Sequence, residues 1–374
     1  MRVLMAPDWT QKNPYLNLLA EGLSAQGVTV VFPRGYRRGL PLWRTVRSQG
    51  PVELLHLHWQ EAYAYSRWWM GELWYGLRLW LDLRLVKASG CRLVWTMHNE
   101  LPHDARFPRV QRFIQRLVAQ SADGVIVHTP TALPVLAAFA PEAARKAAVI
   151  PHGGYQDYYG PAAPQTEARR RLGLPQEGCL FLFFGRLCPY KGIDVLLEAW
   201  RRVAHSAENL YLAIVGEPES PEYGRCIEAL SRELPHVVAR FEYVPDEEVR
   251  YYFSAADCAV FPFRRILTSG SLTLAKSYSV PVVVPDCPAT RAEVAEPDGF
   301  FFERGDAESL GAALRRAALA RQTRRRPASP GLSSWEDIAR ATLNVYRAAL
   351  GDGRRCAEAD AALGLYEGSN KRTH

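Results

Sequence analysis

Cysteine is sparse and scattered in this 374-residue chain, with seven thiols at 91, 179, 188, 226, 258, 287 and 356 and none in a CxxC or Cys/His cluster. An odd, dispersed set excludes a disulfide framework and a zinc site as organising features, and it fits a reducing compartment. No apolar run approaches the length needed to span a bilayer. The start, Met1-Arg2-Val3-Leu4-Met5-Ala6-Pro7, turns polar too soon for a signal peptide. Neither a Walker loop nor a GxGxxG fingerprint occurs. With 48% hydrophobic and 23% charged residues, the chain is too apolar for disorder and long enough for two cores.

The formal charge of +7 is unevenly placed. Residues 1–160 hold 18 Lys+Arg against 11 Asp+Glu, residues 161–330 hold 22 against 22, and residues 331–374 hold 6 against 6. The first part is therefore expected to face a polyanion or an anionic membrane surface.

Short β-rich runs at 2–6, 28–32, 52–57, 92–97, 124–128 and 147–150 alternate with helical spacing over 17–26 and 108–120. After a Pro/Gly-rich stretch at 152–165 a second series begins, with strands at 179–184, 211–215, 237–243, 258–261 and 282–284 and helices at 193–204, 222–233, 247–255 and 271–278. This pattern predicts an α/β protein of two doubly wound, Rossmann-like domains, 1–160 and 161–330. Helices follow at 309–321 and 335–350, the latter expected to return to the first domain, and 351–374 reads as a flexible tail. Open parallel sheets bind ligands beyond the carboxyl ends of their strands, so two such sheets predict a site in the cleft they face.

The strand CLFLFF ends in Gly185-Arg186-Leu187-Cys188-Pro189-Tyr190-Lys191-Gly192 before a helix. Arg186 and Lys191 then sit near a helix N-terminus, where free N–H groups already favour an anion, in outline a diphosphate site. G-R-L-x-x-x-K-G after a strand, VGEP at 215–218, Phe241-Glu242-Tyr243-Val244-Pro245, Ala256-Asp257 leading to VFP at 260–262, and Pro281-Val282-Val283 follow in order. This ordered set, densest over 180–305, resembles the C-terminal domain of glycosyltransferases of the GT-B fold, above all the large family 4 of nucleotide-sugar-dependent enzymes.

The resemblance implies that Arg186 and Lys191 hold the donor diphosphate and stabilise the departing nucleotide. Gly216 matches the point of close approach to the nucleotide, and Tyr243 and Val244 the stretch that meets the base. Thr268-Ser269-Gly270-Ser271 opens a helix whose amides face phosphates and sugar, although Ser269 suits an ordinary N-cap equally well. Family members commonly carry two glutamates, seven residues apart in between, before the Pro-Val-Val strand; counted back from Pro281, those positions hold Ile266 and Leu274. The donor sugar must be held differently, and retention of configuration does not follow. The stretch from Ile266 to Ser271 is similar to that of bacterial exopolysaccharide enzymes using GDP-mannose to make β-mannosides. Enzymes that hold the diphosphate through a divalent metal usually show a DxD at a strand end; none occurs here, so no metal and no cofactor is expected.

In the first domain, strand 92–97 ends in His98-Asn99-Glu100, followed by Asp104. If the reaction inverts it needs a base, for which His98, Glu100, Asp104 and Asp8 are candidates; in related enzymes a histidine at the place of His98 contacts the donor sugar. Asp8, Asn13, Tyr15, His58 and Trp59 lie at or near the ends of the first and third strands, where rings beside polar groups suit a sugar acceptor. The segment 59–87 holds five of the ten tryptophans with Arg67, Arg78, Arg84 and Lys87. Read as a helix with Arg67 and Arg78 on one face, it suits a membrane interface and favours a lipid-linked saccharide acceptor. The whole predicts a peripheral, cytoplasmic-side glycosyltransferase of exopolysaccharide or cell-envelope synthesis, with a soluble synthase, phosphorylase or epimerase on the same fold, or a non-catalytic scaffold, as alternatives. No nucleic-acid motif is recognisable.

Overall fold

The computed structural model describes residues 1–11, 13–33, 39–101, 106–204, 209–321 and 332–351. Contacts divide the chain into two units, Met1–Pro151 with the chain from Ser334 onward, and His152–Ser333. The expected boundary at 160 is thereby corrected, because residues 152–160 are tied into the second unit. Tyr155 N–H donates to Ser277 Oγ (3.0 Å), the Tyr158 hydroxyl to Asp246 (2.8 Å), and the Tyr278 hydroxyl to the Gly160 carbonyl (2.7 Å). The tail expected to be flexible lies, beyond Gly351, outside the described residues.

The first unit is built on β1 (Arg2–Ala6), β2 (Thr29–Val31), β3 (Leu54–Leu57), β4 (Arg92–Met97), β5 (Gly124–Val127) and β6 (Ala147–Val149), all parallel in the order β2-β1-β3-β4-β5-β6. Strands buried on both faces, as β4 is from Leu93 to Met97, suit a sheet covered on both sides. The helix Trp335–Leu350 belongs to this unit. It lies against Pro14–Ala25, where a Cβ on Gly22 would stand 2.9 Å from both Ala339 Cβ and the Trp335 carbonyl, and it presents Val345 to Gly124.

The second unit carries β7 (Cys179–Phe184), β8 (Leu210–Val215), β9 (Val237–Arg240), β10 (Cys258–Val260), β11 (Val282–Pro285) and β12 (Gly299–Phe302) in the order β12-β11-β10-β7-β8-β9, again all parallel. Strand β12 is not expected from the sequence, since its Gly-Phe-Phe-Phe run sits between Pro-Asp and Glu and forms an edge. Strand β9 stops at Arg240, so Phe241 to Tyr243 continue outside the sheet.

The tryptophan-rich segment corrects its sequence reading. Residues 60–62 form a 3-10 turn and the helix begins only at Trp69, so Arg67 precedes it and shares no helical face with Arg78. Arg78 donates to the Tyr63 carbonyl and Lys87 to the Ser121 carbonyl and Asp123. The helix Trp69–Ala88 is apolar on both faces: its two carboxylates, Glu72 and Asp82, point inward among Leu79, Leu83 and Val86 and are about 1% exposed, whereas Trp69, Met70, Trp74, Leu77, Trp80 and Leu81 face out. Each inward carboxylate has work to do. Glu72 accepts from Gln111, and Asp82 accepts from the N–H groups of Leu42 (2.9 Å) and Trp43 (2.8 Å), capping the helix Pro41–Ser48 that has Leu40 at its N-cap. Asp82→Ala should therefore cost about 2 kcal/mol, readable as a lower denaturation midpoint.

Candidate functional site

Every predicted donor residue follows one of four adjacent strands of the second unit. Gly185 and Gly216 come directly after β7 and β8, with φ of +123° and +143°. A side chain on Gly216 would collide with the Gly185 carbonyl, so the two strand ends approach as only glycines allow. The loop continues as a one-turn helix, Pro189–Lys191, and left-handed Gly192 seats it against the Pro262 carbonyl. That turn brings Lys191 back towards its own strand. A Cβ on Gly185 would stand 2.7 Å from Lys191 Nζ and 2.6 Å from Ser271 Oγ, so the structure gathers Gly185, Lys191 and Ser271.

Lys191 is 7% exposed and its ammonium lies over the Phe183 ring at 5.9 Å. Among the described residues it has no carboxylate within salt-bridge distance, and neither has exposed Arg186. Burial, with Arg186 adding to it, pushes the Lys191 ammonium below its ordinary value, only partly offset by Cys188. A buried cation without a counter-charge is costly and is relieved by a bound anion. Ser269 is an N-cap, accepting from Leu272 N–H at 3.3 Å, while the space above Gly270 is open. Tyr243 is exposed with its hydroxyl donating to Asp246 at 3.2 Å, and Val244 is buried. Ile266 is half-buried and Leu274 buried, so neither offers a polar group.

In the first unit the residues following β3, β4 and β5 are His58, His98 and His128. They form a line: His58 Nδ1 to His98 Nε2 at 3.0 Å, His98 Nδ1 to His128 Nε2 at 3.2 Å, and His128 Nδ1 to the Ile150 carbonyl at 2.9 Å, just past β6. His56, inside β3, bonds Tyr346 (2.6 Å) and Thr96 (2.7 Å). Burial pushes His56 down to about 3 and His128 down to about 4, and holds His58 well below its ordinary value.

Trp59 is stacked by His98 (4.2 Å) and by half-buried Trp9 (5.0 Å), which follows β1 beside exposed Asp8. Tyr15, predicted to meet an acceptor, is instead buried at 3% exposure, edge-on to His58, His98, His128 and Trp335. His58 is fully buried too, and Asn13 spends its side chain capping the helix Pro14–Ala25. Tyr15 and His58 thus belong to the interior ring cluster, and half-buried Asn13 to its helix cap. Glu100 is paired with Arg112 at 2.9 Å, and Asp104 lies outside the described residues. His56 and His128 are missing from the sequence-based set. The repeated pattern of an apolar strand followed by histidine (LLHLH, LVWTMH, GVIVH) is the signal that points to them.

The family described as Glycosyl transferases group 1 matches residues 164–331. The GDP-mannose:glycolipid 4-beta-D-mannosyltransferase of Xanthomonas campestris pv. campestris is 30% identical over 357 residues, covering 94% of this chain and 91% of that protein. The chain belongs to the group 1 glycosyl transferases. Among its other relatives is a D-inositol 3-phosphate glycosyltransferase of Streptomyces avermitilis, 27% identical over 91% of this chain and 74% of that one. Solved structures agree on the GT-B architecture. Sucrose-phosphate synthase from Thermosynechococcus elongatus superposes with a TM-score of 0.73 at 19% identity, covering 94% of this chain and 99% of that one. Anabaena HepE in complex with UDP and glucose gives 0.65 at 15%, covering 98% and 100%.

In this glycosyl transferase three histidines are buried in neutral form, so unfolding at mildly acid pH takes up protons. Their folded pKa values lie below the unfolded value of about 6.5, so the stability they contribute is complete above that pH and falls as pH drops towards 4. Calorimetry near pH 5 should record an uptake of about three protons from these residues, reduced by about one in His56→Gln.

Proposed function

We propose that this protein transfers mannose from GDP-mannose to a hydroxyl of a lipid-linked saccharide, with inversion, at the cytoplasmic face of a membrane during exopolysaccharide or cell-envelope synthesis. The observation that carries the reading is the pair of cations at the end of β7, Arg186 and Lys191, neither matched by a carboxylate among the described residues. They suit a diphosphate and its developing charge as the nucleotide leaves, without a metal ion. Gly185 and Gly216 let the phosphates approach backbone, Gly270 and Ser271 supply the open helix start, and Tyr243 and Val244 lie where the base would be met. GDP-mannose and a glycolipid are the substrates in the name of the Xanthomonas relative, and that name specifies a β-mannoside. GDP-mannose carries its sugar in α-linkage, so such a product requires inversion and a base.

Of the candidate bases, His98 has both ring nitrogens hydrogen-bonded, and Glu100 is ion-paired. Among the described residues Asp8, exposed at the end of β1, accepting from Thr10 and free of an ion pair, is the candidate carboxylate that suits the proton of the acceptor hydroxyl, with Trp9 and Trp59 as the apolar surface for a sugar face; Asp104 lies outside the described residues.

The outward face of the helix Trp69–Ala88 supports the membrane. Its neighbour Pro108–Ser121, which it meets where Gly76 receives Ile114, adds Arg109, Phe113 and Arg116 to the exposed surface and carries no acidic residue. Aromatics and cations thus face out while both carboxylates of the pair of helices face in, as an anionic lipid surface requires.

Incubation with radiolabelled GDP-mannose and lipid extract tests the reaction. Label should pass into the lipid phase in β-linkage and in the presence of EDTA, and Asp8→Asn should lower kcat about a thousandfold. An α-linked product or full activity of Asp8→Asn would contradict the assignment. Sedimentation with vesicles containing phosphatidylglycerol should pull down the wild type and leave Trp74→Ala/Trp80→Ala in solution, whereas equal sedimentation of both would remove this helix from the docking surface.

A further inference from the structure

The three-histidine line has a direction, and it is set at one end. A carbonyl oxygen can only accept, so His128 Nδ1, 2.9 Å from the Ile150 oxygen, carries a hydrogen. In a neutral ring Nε2 of His128 is then a lone pair, which obliges His98 Nδ1 to donate across 3.2 Å. His98 Nε2 becomes a lone pair in turn and accepts from His58 Nδ1 across 3.0 Å. The line ends at His58 Nε2, a buried nitrogen with no hydrogen-bond partner.

We propose that the Ile150 carbonyl, acting through His128, fixes His98 as its Nδ1–H tautomer, and that His128 and His58 are positioning residues for His98. The assigned direction is the one in which each contact has one donor and one acceptor. Reversing it would set His128 Nδ1 lone pair against carbonyl lone pair and would leave an Nε2–H of His58 buried without an acceptor. Charging one of these rings, each at most 7% exposed, would bury an imidazolium, with Tyr15 packed edge-on to all three. The depressed proton affinities of His58 and His128, both caused first by burial, agree with a neutral line.

The outcome for His98 is a ring locked in rotation and protonation: one face stacked with Trp59, Nδ1 donating, Nε2 occupied. Such a ring orients its neighbours and is a poor proton acceptor. The sheet alone produces the device, since β3, β4, β5 and β6 are adjacent and each contributes the next group in the line.

Two-bond proton–nitrogen correlation spectra of protein labelled in histidine, at pH 7.5, read the tautomers without any substrate. Assignments come from His58→Gln, His98→Gln and His128→Gln. Neutral Nδ1–H rings for His98 and His128 are expected; an imidazolium or an Nε2–H tautomer at His98 in the wild type would overturn the proposal. In His128→Gln the amide oxygen still accepts from His98 and the Nδ1–H signal should persist, whereas in His128→Leu it should give way to a mixture of tautomers. An unchanged His98 tautomer in folded His128→Leu would overturn the role of His128, and the wild-type spectrum decides the direction of the line even if that variant does not fold. Sugar transfer should follow the same order, with kcat at least tenfold lower in His128→Leu, restored to within about threefold in His128→Gln, and KM little changed. Equal kcat in the wild type and His128→Leu would remove the positioning role.

Discussion

Strands of a parallel sheet all present their carboxyl ends at one edge, and adjacency in the sheet decides which of the residues just beyond those ends become neighbours. Residues far apart in sequence therefore meet at that edge because four or five strands end there. In the second unit this brings the loops after β10, β7, β8 and β9 into a row, and with them Ser271, Lys191, Gly185 and Gly216. In the first unit the same rule lines up His58, His98, His128 and the Ile150 carbonyl.

The two edges handle charge in opposite ways. The second keeps Lys191 buried with no carboxylate beside it among the described residues, and so stores an unmet demand for an anion. The first buries four imidazoles, three of which, His56, His58 and His128, have their proton affinity depressed by burial, and engages nearly every ring nitrogen internally, while Asp8 stands exposed after β1. In the function proposed above, the edge built on glycines and cations would take the nucleotide and the edge built on aromatic rings the sugar.

The alternation of apolar strands and helices was legible because each strand is a short continuous run bounded by Gly, Pro or a polar residue, as in Cys179–Phe184. Gly185, Arg186 and Lys191 were legible as neighbours because they lie in one local motif, whereas their meeting with Gly216 and Ser271 depends on strand order. The aromatic edge was less legible. Tyr15 and His58 look like ligands in sequence, where a ring beside polar groups suggests a sugar, but they are interior: the final helix delivers Trp335 onto Tyr15 and Tyr346 onto His56, the ring beside His58, from more than 250 positions away. His128 went unnoticed for the converse reason, its role depending on a carbonyl contributed by the next strand. The helix Trp69–Ala88 could not be oriented from spacing, as apolar residues occur all round it; the partners of Glu72 and Asp82 decide which side is inside.

Calorimetric titration of GDP against the protein and against Arg186→Ala and Lys191→Met tests the central claim, that two unmatched cations at the end of β7 make a diphosphate site. The account predicts that GDP binds, that guanosine without phosphates binds at least a hundredfold more weakly, and that each substitution weakens GDP at least tenfold. Equal affinity for GDP in the wild type and in both folded variants would contradict it.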